Sequence, residues 1–122
     1  MFKVEITTHF AASHQLHGYN GECRALHGHT WKVQAEIITG TVDEVGISFD
    51  FKELKDLTNK IISRFDHKHI NDVEPFDKKN PTAEHLAKYI YDNLAAELPQ
   101  DIGMSRVTVW ESEKYALTYT EQ

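Results

Sequence analysis

Residues 2–8 read FKVEITT, and residues 29–39 read HTWKVQAEIIT. In both segments apolar and polar side chains alternate. A period of two residues is typical of a strand with one buried face. Between the two segments, residues 16–25 carry two glycines and an asparagine, which favour turns. The sequence therefore predicts an antiparallel hairpin with a long loop.

Two helices are predicted after this hairpin. Asp50 and Glu53 have the spacing of an N-terminal capping box, and apolar residues then recur at helical spacing, which predicts a helix over about 51–65. A second helix is predicted to begin near Thr82 and to end before Pro99, because proline cannot continue a helix.

Two closing strands are predicted at 105–111 and 117–119. The element order is then strand, strand, helix, helix, strand, strand, which favours an α+β fold with a four-stranded antiparallel sheet and both helices on one face. A length of 122 residues predicts one domain over 1–122. So small a sheet leaves its edges open, so assembly with further subunits is expected.

Composition excludes several classes of partner. The chain has 13 Lys+Arg against 19 Asp+Glu and a formal charge of -6, which argues against a nucleic-acid surface. No segment approaches the roughly 20 apolar residues of a membrane span, and the first residues lack the pattern of a signal peptide. We therefore expect a cytoplasmic protein without a membrane partner. The single cysteine excludes an internal disulfide.

Three histidines have a spacing that suits a metal ion. His27 and His29 flank Gly28 at the start of the second strand, so their side chains are expected on the same face. His14 is predicted at the end of the first strand, and an antiparallel hairpin brings that end beside the start of the second strand. Three neutral nitrogen ligands without a fourth protein ligand are typical of a catalytic zinc site. The alternative is a set of unrelated surface or core histidines.

Cys23 stands four residues before His27. A thiolate near a bound cation is stabilised and can act as a base or nucleophile, and the alternative is a loop cysteine without a role. Asp66 and His67 are candidates for a proton relay. Neighbouring side chains on an extended chain point apart, so this hypothesis requires the fold to bring His67 to Cys23.

Glu111 is predicted on the apolar face of its strand, together with Val107 and Val109. A carboxylate in that position needs a donor-rich partner, such as a backbone turn, an arginine or a ligand. Arg106 and Lys114 are close in sequence, so a salt bridge is the alternative to a ligand.

Several short motifs occur in a characteristic order. They are Phe10-Ala11-Ala12-Ser13-His14, Cys23-Arg24-Ala25-Leu26-His27-Gly28-His29, Phe65-Asp66-His67, Asn71-Asp72, Asn80-Pro81-Thr82-Ala83-Glu84 and Trp110-Glu111-Ser112. As an ordered set they resemble the 6-pyruvoyltetrahydropterin synthase and 6-carboxytetrahydropterin synthase family over nearly the whole chain. The Cys-x-x-x-His-Gly-His spacing resembles the bacterial 6-carboxytetrahydropterin synthases of queuosine biosynthesis.

The resemblance implies a tunnelling fold and homohexamers of two stacked trimers, with active sites at subunit contacts. The residues it implies are the zinc ligands His14, His27 and His29, the base Cys23, the relay residues Asp66 and His67, the pterin-binding carboxylate Glu111 and the pocket residue Thr82. A carboxylate can accept two parallel hydrogen bonds from a 2-amino-4-oxo ring, which suits the role implied for Glu111.

The implied reaction converts 7,8-dihydroneopterin triphosphate to 6-carboxy-5,6,7,8-tetrahydropterin and releases triphosphate and acetaldehyde. Alternatives are the pyruvoyl-forming reaction, or a related side-chain lyase, on the same type of substrate. A non-catalytic module that binds zinc or pterin is an alternative of a different class. A Cys-His-Asp hydrolase is disfavoured because it has no use for three clustered histidines.

Overall fold

The computed structural model describes residues 1–18 and 27–121, and of His27 the backbone alone. The predictions for Cys23 and for the side chain of His27 therefore lie outside the described residues. The described chain contains, in order, β1 (Phe2–His14), β2 (His27–Thr39), α1 (Phe51–Ile62), β3 (Lys68–His69), α2 (Ala83–Glu97), β4 (Gly103–Ser112) and β5 (Tyr115–Tyr119).

The strands form one sheet in the order β3-β1-β2-β4-β5. Strands β1, β2, β4 and β5 pair antiparallel, and β1 and β2 stay in register from the pair Phe2–Thr39 to the pair His14–His27. The predicted α+β fold is confirmed. The sheet also has a fifth strand, β3, which pairs parallel to β1 and, at two residues, is too short to show a periodicity in the sequence.

The helices cover the face of the sheet that the alternation predicted to be buried. On β1 every second residue from Val4 to His14 is buried. Trp31 and Val33 of β2 and Val109 of β4 have no exposed surface. They belong to one hydrophobic cluster with residues of both helices. Burial of this apolar surface is the main favourable term that holds the helices on the sheet.

The helix ends follow local capping. The Asp50 side chain accepts a hydrogen bond from Lys52 N at the start of α1, and Thr82 accepts one from His85 N at the start of α2. Helix α1 ends at Ile62 and not at 65 as predicted. Phe65 is nevertheless fully buried, so it belongs to the core although it lies after the end of the helix. No helix of the described chain is long and apolar enough to cross a membrane.

Candidate metal and catalytic site

Strand β1 ends at His14, as predicted, and its residues beyond the alternating segment 2–8 contribute to the site. His14 pairs with His27 and Ala12 pairs with His29. Residues directly opposite each other in an antiparallel pair share a face of the sheet. His14 and His29 therefore lie on the helix-covered face, at the end of the hairpin.

His14 is completely buried, and its ring has a defined hydrogen-bond partner. Its Nδ1 lies 2.9 Å from the carbonyl oxygen of Pro81. A carbonyl can only accept, so Nδ1 carries a proton, and in the neutral form of the ring the lone pair is on Nε2. Histidines that bind metals are commonly oriented in this way, with one nitrogen on a carbonyl and the other available to the ion.

Glu111 completes a cluster with the two histidines. Its Oε1 lies 3.3 Å from Nε2 of His29, and its Oε2 lies 3.9 Å from Nε2 of His14. Ligand atoms from the three side chains all lie within 4.8 Å of one another. Imidazole nitrogens and a carboxylate are ligands that zinc accepts, so this donor set fits a metal ion.

Trp31 packs against the rings of His14 and His29, a contact that was not predicted from the sequence. Its ring meets His14 edge-on at a centroid distance of 5.0 Å and His29 at 5.4 Å. The His14 and His29 rings are themselves 5.2 Å apart. Trp31 lies two residues after His29 on the same face of β2, so the strand alternation already contained this signal. Such packing limits the rotamers of both histidines.

Glu111 lies near the end of β4, two residues after Val109, which pairs with Val33 and has no exposed surface. The pairing with β5 is irregular between Trp110 and Ser112, and the contacts of Glu111 with His14 and His29 place its side chain on the helix-covered face. Its side chain is 22% exposed. The sequence left a salt bridge to Arg106 open, but Arg106 instead contacts Glu36, with Nε 3.3 Å from Oε2, and Glu5.

Asp66 and His67 contact each other, although the sequence suggested that they would point apart. His67 has φ of 59°, a left-handed conformation that non-glycine residues seldom adopt and that tends to occur at functional sites. This turn brings His67 Nδ1 to 3.1 Å from Asp66 Oδ1. The same carboxylate accepts a hydrogen bond from Ala11 N, and His67 N donates to Ala11 O.

The Ala11 N–H is the main reason that the pKa of Asp66 lies below its ordinary value, and the nearby His67 lowers it further. Asp66 is therefore an ionised acceptor for His67 at neutral pH. The His67 side chain is 82% exposed. It lines a shallow depression of about 560 Å³ that His29 and Ser13 also line.

Thr82 lies beside the cluster of His14, His29 and Glu111, away from the depression that His67 lines. It lines an open cavity of about 450 Å³ together with His14 and Glu111. Thr82 also caps α2, so its backbone position is fixed by the helix start. The structure thus brings four of the predicted site residues, His14, His29, Thr82 and Glu111, around one region, with Asp66 and His67 near its edge.

The fold and the site define a class of protein, an α+β domain with a histidine and carboxylate cluster suited to a metal ion. The family model described as 6-pyruvoyl tetrahydropterin synthase matches residues 3–122, and the chain belongs to this family. Membership makes the chain a pterin-processing lyase of the tetrahydropterin synthase type.

Individual relatives carry names from both branches of the family. The chain is 29% identical to the 6-carboxy-5,6,7,8-tetrahydropterin synthase of Haemophilus influenzae, with 99% of this chain and 100% of that protein covered. It is 32% identical to the 6-pyruvoyl tetrahydrobiopterin synthase of Drosophila melanogaster, with 90% and 74% covered. The solved 6-pyruvoyl tetrahydropterin synthase of Caenorhabditis elegans superposes with a TM-score of 0.85 at 26% identity, covering 99% and 96%.

Proposed function

We propose that the chain is a zinc-dependent lyase that converts 7,8-dihydroneopterin triphosphate to 6-carboxy-5,6,7,8-tetrahydropterin, with release of triphosphate and acetaldehyde. Its product would enter queuosine biosynthesis. The observation that carries the proposal is the convergence of His14 at the end of β1, His29 at the start of β2 and Glu111 near the end of β4, in a member of this family. The short Cys-x-x-x-His-Gly-His spacing supports the carboxy-forming reaction.

In this proposal His14, His27 and His29 hold the zinc ion. The proton on Nδ1 of His14, fixed by the Pro81 carbonyl, supports its role as a ligand through Nε2. A bound zinc ion would polarise substrate hydroxyls and make the neighbouring protons more acidic.

Glu111 would bind the pterin ring. An ionised carboxylate can accept two parallel hydrogen bonds from the amino group and ring N–H of a 2-amino-4-oxo pterin. The 22% exposure of Glu111 leaves it accessible from the cavity that Thr82 also lines. Thr82 would then contact the ring through its hydroxyl, and the pterin would lie beside the metal ligands.

Cys23 would remove a proton from the substrate side chain, and Asp66 and His67 would relay it. An ionised Asp66 accepts from His67 Nδ1 and so leaves Nε2 of the same ring to exchange a proton. The exposure of His67 suits a contact with substrate or with a second subunit. We propose a cytoplasmic homohexamer of two stacked trimers in which such contacts complete the site.

The alternative function is the pyruvoyl-forming reaction, which the name of the Drosophila relative represents. Product analysis separates the two. Purified protein is incubated with 7,8-dihydroneopterin triphosphate, and the pterin products and acetaldehyde are quantified. We expect 6-carboxytetrahydropterin and acetaldehyde in equal amounts. A 6-pyruvoyl product without acetaldehyde would show that the proposed reaction is wrong, and binding without any product would favour a non-catalytic pterin-binding module.

A further inference from the structure

Two asparagine side chains hold the chain immediately after His14. Asn71 Oδ1 accepts from Gln15 N at 2.9 Å, and Asn71 Nδ2 donates to Gln15 O at 2.8 Å. Asn80 repeats the arrangement two residues later, accepting from His17 N at 2.9 Å and donating to His17 O at 2.7 Å. We call these four hydrogen bonds the asparagine clamp.

The clamp continues the pairing of β1 beyond its last residue. A side-chain amide offers one carbonyl acceptor and N–H donors, as a backbone peptide does, so each asparagine replaces a residue of a partner strand. Gln15 and His17 are two residues apart, which is the spacing at which an extended chain presents its N–H and C=O to the same side. Aspartate would supply the acceptor but not the donor.

Asn80 also belongs to the segment that orients the metal ligand. The next residue, Pro81, accepts from His14 Nδ1, and Thr82 caps α2. The carbonyl of Asn80 accepts from His85 Nδ1 at 2.7 Å, which ties the segment to the first turn of α2. Three consecutive residues therefore fix the ring of His14, the chain beyond it and the start of a helix.

We propose that Asn71 and Asn80 are positioning residues for the reaction. They act through residues 15–18, which connect the metal ligand His14 to the segment 19–26 that carries Cys23. The clamp fixes residues 15–17 where the chain leaves His14, and so defines the point from which the chain continues toward the proposed base. This inference rests on the proposed function, because a defined base position has a consequence only if Cys23 takes part in catalysis.

Amide hydrogen exchange tests the clamp without reference to activity. We expect the Gln15 and His17 amides to be protected in the wild type, because both are donated to asparagine side chains. Asn71→Ala should speed exchange mainly at the Gln15 amide, and Asn80→Ala should speed exchange mainly at the His17 amide. The matched control is Asn93→Ala, which removes an asparagine bonded to Tyr89 O within α2. Exchange at Gln15 and His17 that is identical in all four proteins would overturn the proposal.

Kinetics test the positioning role. We expect Asn80→Ala to lower kcat about tenfold or more with KM changed less than about threefold, since small displacements of catalytic groups are costly. The variant should keep about one zinc per chain. Asn80→Asp keeps the acceptor for His17 N, so it should retain more activity than alanine and remain usable if alanine impairs folding.

An unchanged kcat in Asn80→Ala, an equal loss in Asn93→Ala, or a loss of zinc in parallel with activity would contradict the positioning role. Failure of the proposed function gives a different result. In that case the wild type itself releases no acetaldehyde from dihydroneopterin triphosphate, while the exchange pattern of Gln15 and His17 still reports whether the clamp holds the chain.

Discussion

Glu111 is the residue whose surroundings most constrain the chemistry of the site. Its carboxylate oxygens lie within 4 Å of Nε2 of both His14 and His29, so the geometry is compatible with a metal ligand. The family resemblance assigns the same carboxylate to the pterin ring. Replacing Glu111 by its neutral isostere glutamine distinguishes the two roles. If Glu111 is a metal ligand, the replacement lowers metal affinity; if it accepts hydrogen bonds from the pterin, the replacement lowers substrate affinity.

For Glu111→Gln we expect about one zinc per chain to be retained and kcat/KM to fall about 100-fold or more. The reason is that hydrogen bonds to a charged group contribute about 1.5–3 kcal/mol each. Metal analysis and steady-state kinetics measure the two effects. His29→Ala should lose zinc, and His9→Ala, an exposed histidine on the opposite face of β1, should keep it. Loss of zinc in Glu111→Gln would identify Glu111 as a ligand.

For Cys23→Ala we expect about one zinc per chain and no measurable turnover, since in the proposed mechanism three histidines would hold the metal and the thiolate would accept the proton. Metal analysis and acetaldehyde release are measured on the same preparation. If zinc disappears together with the cysteine, the thiolate is a ligand and the site is a closed structural one.

The ionisation of Asp66 should make the stability of the protein depend on pH. Its folded pKa is lowered from 3.8, first by the Ala11 N–H. A lowered pKa contributes stability above the unfolded value, and this stability is lost as pH falls through the folded value. Asp66→Asn should therefore lower Tm at pH 7, with a difference from wild type that shrinks below about pH 3.8. Asp101→Asn, in an exposed turn, is the control. A pH-independent difference would exclude this linkage.

At the residue level, the sequence indicated the face of Glu111 because strand alternation is a local property. It did not indicate the Pro81 carbonyl as the partner of His14, because the two residues are 67 positions apart. The Asp66–His67 contact was also missed. It depends on the left-handed backbone of His67, which no side-chain pattern encodes.

At the level of elements, alternation and capping located all six predicted strands and helices, including the end of β1 at His14, the end of β2 at Thr39 and the cap of α2 at Thr82. The two closing strands begin earlier than predicted, because their pairing partners are not visible in one strand's own sequence. Strand β3 forms where the chain after Asp66 is held against Ala11 and Ala12, which is a tertiary effect.

The start of α2 couples stability to the site. Thr82→Ala removes the N-cap hydrogen bond to His85 N, which should cost about 1 kcal/mol and lower Tm by a few degrees. It should also raise KM, because Thr82 lines the cavity beside Glu111. Thermal unfolding and kinetics measure the two effects. Asp50→Ala, at the start of α1, should lower Tm similarly and leave KM unchanged. Equal KM values for Thr82→Ala and wild type would show that Thr82 does not contribute to pterin binding.

At the level of the whole molecule, β3 and β5 are the edge strands of the described sheet. Strand β3 pairs with Ala12 and Ser13 of β1. Strand β1 begins at Phe2, so among the described strands most of its length has a partner, β2, on one side alone. Open edges favour edge-to-edge association. For the proposed hexamer, light scattering should give a mass of about 85 kDa, six times the chain mass of 14.1 kDa. A mass near that of one chain at assay concentration, with full activity, would contradict sites completed by subunit contacts.

We propose that zinc held by His14, His27 and His29 enables the lyase reaction. The decisive measurement is acetaldehyde release from 7,8-dihydroneopterin triphosphate before metal removal, after it and after zinc is returned. We predict that release stops when the metal is removed and returns at about one zinc per chain, with no recovery in His29→Ala. Undiminished release by the metal-free protein would show that the reaction does not depend on zinc.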